Sequence, residues 1–253
     1  MKNIISLIIF LWSLNMAACE CMSTGLMNQL GQATFAAKVK ILKINLSQNP
    51  DYLDADIEIL DLYKGQRTTT IKIHNPSDSM CKISPAEGEI WLVLTPLWQG
   101  ISSVMYCSGS VQIDKDFSPF KDKYPNAELN HMRSINKKLS VLKYLKQHSI
   151  DVSNKFNLDI NTSCDLTGYE TIEEFAIYRI TVRKDLSIRK ITNLKGFDNA
   201  TLSETITKCL QTSARVGIFK KEKVIPEEHE VILALYYYPS DEEHQSFISP
   251  RDF

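Results

Sequence analysis

ATFAAKVKILKI, residues 33–44, decides the fold of this chain. Phe35, Ala37, Val39 and Ile41 fall on one side and Lys38 and Lys40 on the other. Alternation with period two in a stretch holding Val and Ile predicts a half-buried β-strand. Asn45 to Asp54 is polar, contains Pro50 and reads as a loop. Ala55 to Tyr63 (ADIEILDLY) alternates at Ile57 and Ile59, then shifts phase to Leu60 and Leu62, which predicts a β-bulge or strong coil, as in small closed barrels. Lys64-Gly65 makes a turn and Thr68 to Ile73 a third strand. After a turn-rich stretch with Pro76, Cys81 and Pro85, Glu89 to Thr95 (EIWLVLT) is almost continuously apolar, as a strand buried on both faces would be, and Pro96 stops it. Val104 to Ile113 (VMYCSGSVQI) reads as a fifth strand with Cys107 in its middle. Five strands within about 80 residues predict a small β-barrel or sandwich.

Upstream lies a leader. Met1-Lys2-Asn3 precedes the apolar run Ile4 to Leu14, and the small residues Ala17 and Ala18 follow, the layout of a secretory signal peptide over residues 1–18. A membrane span needs ~20 apolar residues, and no later stretch supplies them either. Cleavage after Ala18 makes Cys19 the first residue of the mature chain. Met16-Ala17-Ala18-Cys19 also resembles a bacterial lipoprotein cleavage box, with Met where Leu is usual. A lipid anchor at Cys19 is disfavoured, because it would consume that thiol and leave an odd number of cysteines.

The chain carries 29 Lys and Arg against 30 Asp and Glu, a balance that excludes the basic footprint of a nucleic-acid partner. All six cysteines (Cys19, Cys21, Cys81, Cys107, Cys164, Cys209) follow the leader. In an exported chain they read as three disulfides, with many pairings open. Zinc needs Cys-x-x-Cys pairs or nearby His, and the spacing here offers neither.

A Cys-x-Cys after a signal peptide, a strand carrying Phe35 and Val39, and a strand ending Leu62-Tyr63-Lys64-Gly65 come in that order. Cys81, Gly88-Glu89-x-Trp91-Leu92-Val93 and a late Cys107 complete the set. Together they resemble the netrin-like fold shared by tissue inhibitors of metalloproteinases and their bacterial relatives. The resemblance covers Cys19 to Ile113. It implies a five-stranded OB-type barrel with Cys19 paired to Cys81 and Cys21 to Cys107. It also implies an inhibitory ridge of Cys19, Glu20 and Cys21, in which the Cys19 amine and carbonyl chelate a protease's zinc and Glu20 enters its specificity pocket. Other members of this fold class act as binding modules.

Further on, Asp114 to Asn126 reads as a linker. Leu129 to Ile150 spaces Leu129, Met132, Ile135, Leu139, Leu142 and Leu145 as an amphipathic helix, with Lys137, Lys138, Lys143 and Lys146 on its far face. The stripe packs on the barrel, or alternatively meets a partner or a membrane surface. Polar Asp151 to Gly168 marks a boundary. Phe175 to Val182 and Ile188 to Leu194 flank Lys184-Asp185-Leu186-Ser187 as a hairpin, Ala200 to Thr212 forms a helix capped by Asn199, and Val231 to Tyr238 (VILALYYY) is a last strand. The order ββαβ faintly resembles the C-terminal domain of TonB-type envelope proteins. Cys164 and Cys209 remain as a third bridge.

The expected architecture is mainly β plus α+β. It runs as a signal peptide (1–18), a netrin-like OB barrel (19–118), a linker and amphipathic helix (119–150) and a small ββαβ domain (151–253). No catalytic constellation stands out. His74, His131, His148, His229 and His244 are scattered, and His229 among Glu227, Glu228 and Glu230 reads as a solvated loop. Cys107-Ser108-Gly109-Ser110 is not a nucleophile elbow, and no glycine-rich phosphate loop occurs. The expectation is a non-enzymatic protein-binding module, secreted or in the periplasm and cell envelope, with neither metal nor cofactor. A metalloproteinase inhibitor and an unrecognised envelope enzyme are the alternatives.

Overall fold

The computed structural model describes Cys19, Cys21 and residues 25–77, 79–162, 164–218 and 224–251. The leader expected over residues 1–18, and Glu20, lie outside the described residues.

A short helix α1 (Leu26–Gln32) runs without a loop into β1 (Ala33–Leu46), its turn closed by the Ala33 amide donating to the Gln29 carbonyl. β2 (Tyr52–Lys64), β3 (Thr70–His74), β4 (Ile90–Trp98) and β5 (Ile101–Val104) follow. Strand order β1-β2-β3-β5-β4, with β4 returning to β1, closes a five-stranded barrel of OB type. Among the described residues only β3 with β5 is a parallel pair.

Closure follows from β1 being long enough to pair twice. Ala36 and Ala37 face β2 on one side and β4 on the other, and both are fully buried. Phe35, Ala37, Val39 and Ile41 point into the barrel core with Ala55, Ile57, Ile71, Ile73, Val93 and Val104. The bulge read from the phase shift in β2 is present: Lys38 opposes Asp61 and Val39 opposes Ile59, which squeezes out Leu60 and returns Leu62 to the core. Leu42 is extruded in the same way opposite Ile57 and Asp56. Such bulges add the twist and bend a small barrel needs.

At Gly65 the chain has φ +84°, and a Cβ there would stand 2.5 Å from the Thr34 carbonyl. Only glycine fits a left-handed backbone pressed that closely on a neighbour.

Two expectations for the barrel change. β4 does not stop at Pro96 but runs to Trp98 and turns back through Gln99 and Gly100, both at positive φ. The fifth strand expected over Val104 to Ile113 is split into β5 and the two-residue β6 (Val111–Gln112), with Cys107 in the turn between. Gly109 at φ +82° and the buried Ser108 hydroxyl, which takes the Ser110 amide, bend the backbone out of strand geometry there.

Helix α2 (Ala127–Gln147) buries Ile135, Val141, Leu142 and Leu145, while Leu129 and Met132 at its start stay exposed. After it come β7 (Leu158–Asn161), β8 (Phe175–Val182), β9 (Ile188–Lys195), α3 (Ala200–Ser213), β10 (Arg215–Ile218), β11 (His229–Tyr238) and β12 (Phe247–Ser249). An antiparallel sheet orders as β12-β11-β8-β9, and β7 with β10 forms a separate ribbon. Asn199 caps α3 by accepting from the Leu202 amide.

β11 explains its own composition. Ile232, Ala234 and Tyr236 pack toward α1, α2 and the outer barrel face. Val231, Leu233, Leu235 and Tyr237 pack toward α3 and the ribbon. A strand covered on both faces has no polar side to keep. β4 shows the same logic, with Val93 inside the barrel and Leu92 and Leu94 against the helices. The layers therefore run barrel, helices, sheet, α3, and one apolar cluster spans the first three.

Of the four lysines expected on the far face of α2, Lys143 is exposed there, whereas two others reach neighbouring elements. Lys146 pairs with Asp61 of β2 at 2.5 Å, and Lys137 donates to the Tyr237 carbonyl of β11 at 2.7 Å. Packing between two bodies, rather than on one, is the reason.

Candidate functional site

The structure joins Cys19 to Cys81, Cys21 to Cys107 and Cys164 to Cys209, with Cα atoms 5.4, 5.4 and 5.9 Å apart. The first two bridges bring three separated pieces of chain together: the N-terminal segment, the loop after β3 and the turn after β5. They cross 62 and 86 residues of sequence, and each bridge ties down a chain end that would otherwise fray.

Both anchoring loops are braced from behind. The Cys81 amide donates to the Ser79 hydroxyl at 3.0 Å. In the turn holding Cys107, the Ser108 and Ser110 hydroxyls meet at 2.8 Å, and the Leu94 amide of β4 donates to the Ser110 hydroxyl. Gly109 lies against the Gln29 side chain of α1. The Cys107-Ser108-Gly109-Ser110 run thus serves as a buttress, fastening the ridge to β4 and to α1.

The ridge also carries two residues that the sequence reading passed over. Met80, next to Cys81, is 75% exposed, and Tyr106, next to Cys107, is 47% exposed. Each bridge therefore has a large, solvent-exposed side chain next to it. Met80 stands in a turn-rich stretch with no periodic signal, and Tyr106 falls within the run Val104 to Ile113 whose pattern reads as continuous strand. Of the three residues predicted to form the site, Cys19 and Cys21 are half-buried in their bridges, and Glu20 lies outside the described residues.

The histidines have structural partners. His74 packs edge-on against Tyr52, His131 contacts the Gln112 carbonyl at 2.9 Å, and His148 stacks on Tyr144. His229 contacts the Ser153 carbonyl, and burial lowers its pKa below the usual histidine value. Its acidic neighbours go separate ways: Glu227 to Lys155, Glu228 to Arg189 and Glu230 to Arg179. Among the described residues no group of three or more His, Cys, Asp or Glu side chains could hold a metal ion.

A concavity of about 850 Å³ lies between α2 and the turn from β11 to β12. Its wall holds Arg133, Lys137, Ile172 and the stacked rings of Tyr238 and Phe247, whose centroids are 4.7 Å apart. Lys137 sits 3.4 Å from the Tyr238 ring centroid. Burial, aided by Arg133 and opposed by Glu174, pulls its pKa down to about 8.

Three disulfides point to an oxidising compartment outside the cytoplasm. No helix among the described residues is long and apolar enough to cross a membrane. No protein-family model matches the sequence, and no curated protein matches it significantly.

Proposed function

We propose that this chain is an exported, non-enzymatic protein-binding module of the netrin-like class, acting in the periplasm, at the cell envelope or outside the cell. One observation carries the reading. Two disulfides fix the segment at Cys19 and Cys21 onto loops that each expose a large apolar residue, Met80 and Tyr106. A rigid ridge with apolar anchors loses little entropy on docking, which is how preorganised interfaces gain affinity. The faint TonB-type resemblance of the second half is a weaker, envelope-directed pointer, and the order β8, β9, α3, β10, β11 departs from its ββαβ by the extra strand β10.

The test compares partners captured from the native secretome by the chain and by its Met80→Glu, Tyr106→Glu double variant. A partner held by the first and lost by the second supports the reading. Equal capture by both refutes it.

Metalloproteinase inhibition is the second reading, favoured because Cys19 is held in place by its bridge to Cys81. With the leader removed, an amine lone pair and a carbonyl at Cys19 would fill an open zinc position. A carboxylate at Glu20 would cost several kcal/mol in an apolar pocket unless a cation met it there. The expected target is therefore a zinc protease with a basic specificity pocket. Acetylation of the Cys19 amine should abolish inhibition across a zinc-protease panel, and inhibition that survives acetylation rules the mechanism out.

A further inference from the structure

The concavity between α2 and the turn from β11 to β12 shares no residue with the ridge, and its charges do not balance. Arg133 and Lys137 line it from α2, and Glu174, Asp241 and His244 from the sheet side. Asp241 is already met: the Glu243 and His244 amides donate to it, and the His244 ring lies 3.3 Å away. Lys137 donates to the Tyr237 carbonyl, an uncharged acceptor. Among the described residues neither Arg133 nor Glu174 makes an ion pair. Two cations therefore stand against one carboxylate, and both Arg133 and Glu174 act on the Lys137 ammonium. The surplus is one positive charge.

The rest of the wall is apolar. Tyr238 and Phe247 stack with their planes 10° apart, Pro239 adjoins them, and Ile172 is 88% exposed at the same hollow. An apolar hollow of this size with a few charged groups in its wall has the make-up of a small-molecule site.

An amine here would meet like charge, and a neutral ligand would leave the surplus unanswered. A phosphate monoester carries close to two charges, more than the site can match. We propose that the concavity binds a small aromatic monocarboxylate, its carboxylate meeting Arg133 and Lys137 and its ring lying against Tyr238 and Phe247. A guanidinium offers a carboxylate two parallel donors. A ring added to an aromatic pair gains more than its buried area alone.

Occupancy should depend on pH. Burial has pulled the Lys137 pKa down to about 8, which leaves its ammonium poorly compensated in the bare site. Arg133 from α2, and Glu174, Tyr237, Tyr238, Asp241 and His244 from the other wall, face the same space. A carboxylate beside Lys137 raises that pKa, so the complex holds a proton the free chain has lost. Affinity is then full below about pH 8 and falls as the pH climbs past it.

The experiment titrates the leader-free, oxidised chain with hydrocinnamate and indoleacetate, by calorimetry and amide chemical shifts, on both sides of pH 8. Hydrocinnamamide, phenethylamine, phenyl phosphate and a hexapeptide ending in phenylalanine serve as comparators. Saturable binding of at least one of the acids is expected, with shifts at Ile172, Tyr238 and Phe247 and uptake of protons above pH 8. Arg133→Gln should weaken it about tenfold, the loss of one charge-assisted contact. Arg133 is exposed, so the melting temperature should hold in that variant. Lys137→Met should weaken binding and remove its dependence on pH. The proposal is overturned if neither acid binds, if any comparator binds as tightly, if both variants bind like the native chain, or if affinity is the same on both sides of pH 8.

Discussion

Lys64 ties three segments of the chain together. Its ammonium donates to the Leu30 carbonyl at 2.7 Å and the Val152 carbonyl at 2.8 Å, so the end of β2 pins both the last turn of α1 and the segment leaving α2. A cation on the free carbonyls of a helix end is favourable. Burial nonetheless lowers its pKa, opposed by the charge of Asp151. Lys64→Met should lower stability by roughly 1.5 to 3 kcal/mol in urea unfolding, since it removes charge-assisted bonds and leaves carbonyls unmet. Gly65→Ala should cost about 2 to 4 kcal/mol, because the left-handed backbone and the Thr34 carbonyl leave no room for a methyl group.

Lys137 gives a residue-scale test in pH. Its pKa is about 8 in the folded chain against 10.5 for an unperturbed lysine, so the unfolded chain holds more protons between those values. Stability must then rise with pH through that window. Denaturation curves of the native chain and of Lys137→Met should diverge there, the variant lacking the rise. Parallel curves would show that the ammonium is not held as described.

Among the elements, α2 and α1 together bridge the two halves. The buried face of α2 shares one apolar cluster with Ala36, Leu92 and Leu94 of the barrel and Phe175, Ile177 and Ile232 of the sheet. Leu142→Ala should destabilise by about 2 to 5 kcal/mol, the usual cost of a cavity in a closed core. Lys146→Ala should cost less than about 1 kcal/mol, because its pair with Asp61 is open to solvent. The larger loss should fall on Leu142.

The helix also marks where pattern reading stops. Its three- and four-residue spacing gives the stripe directly, but one stripe cannot say that two bodies share it, so Lys137 and Lys146 read as solvated. Long alternating strands were legible for the same physical reason: Phe35 to Ile41 line one core, and the extruded Leu60 is the visible cost of the bulge. Short elements were not. The seven residues of α1 span too few turns for a period, and β7 and β10, four residues each, hold together through one another. Loop exposure leaves no rhythm in sequence at Met80, and at Tyr106 the strand-like run from Val104 to Ile113 conceals the turn.

For the molecule as a whole, the cluster running from barrel to sheet should couple the halves. A single cooperative unfolding transition is expected, with Trp91 fluorescence in the barrel and far-UV circular dichroism tracing one curve. Two separated transitions would refute that coupling. The bridge from Cys164 to Cys209 encloses 45 residues and should contribute roughly 4 kcal/mol in the loop-entropy account. Cys164→Ser with Cys209→Ser should lower the melting temperature accordingly while leaving the ridge bridges in place.

Leu92, Leu94 and Ala36 look outward from a barrel that is otherwise complete. Cut free of everything after residue 118, that barrel would present a greasy flank to water and clump rather than stay dispersed. The barrel is thus expected to stay dispersed in solution only while the rest of the chain covers that flank.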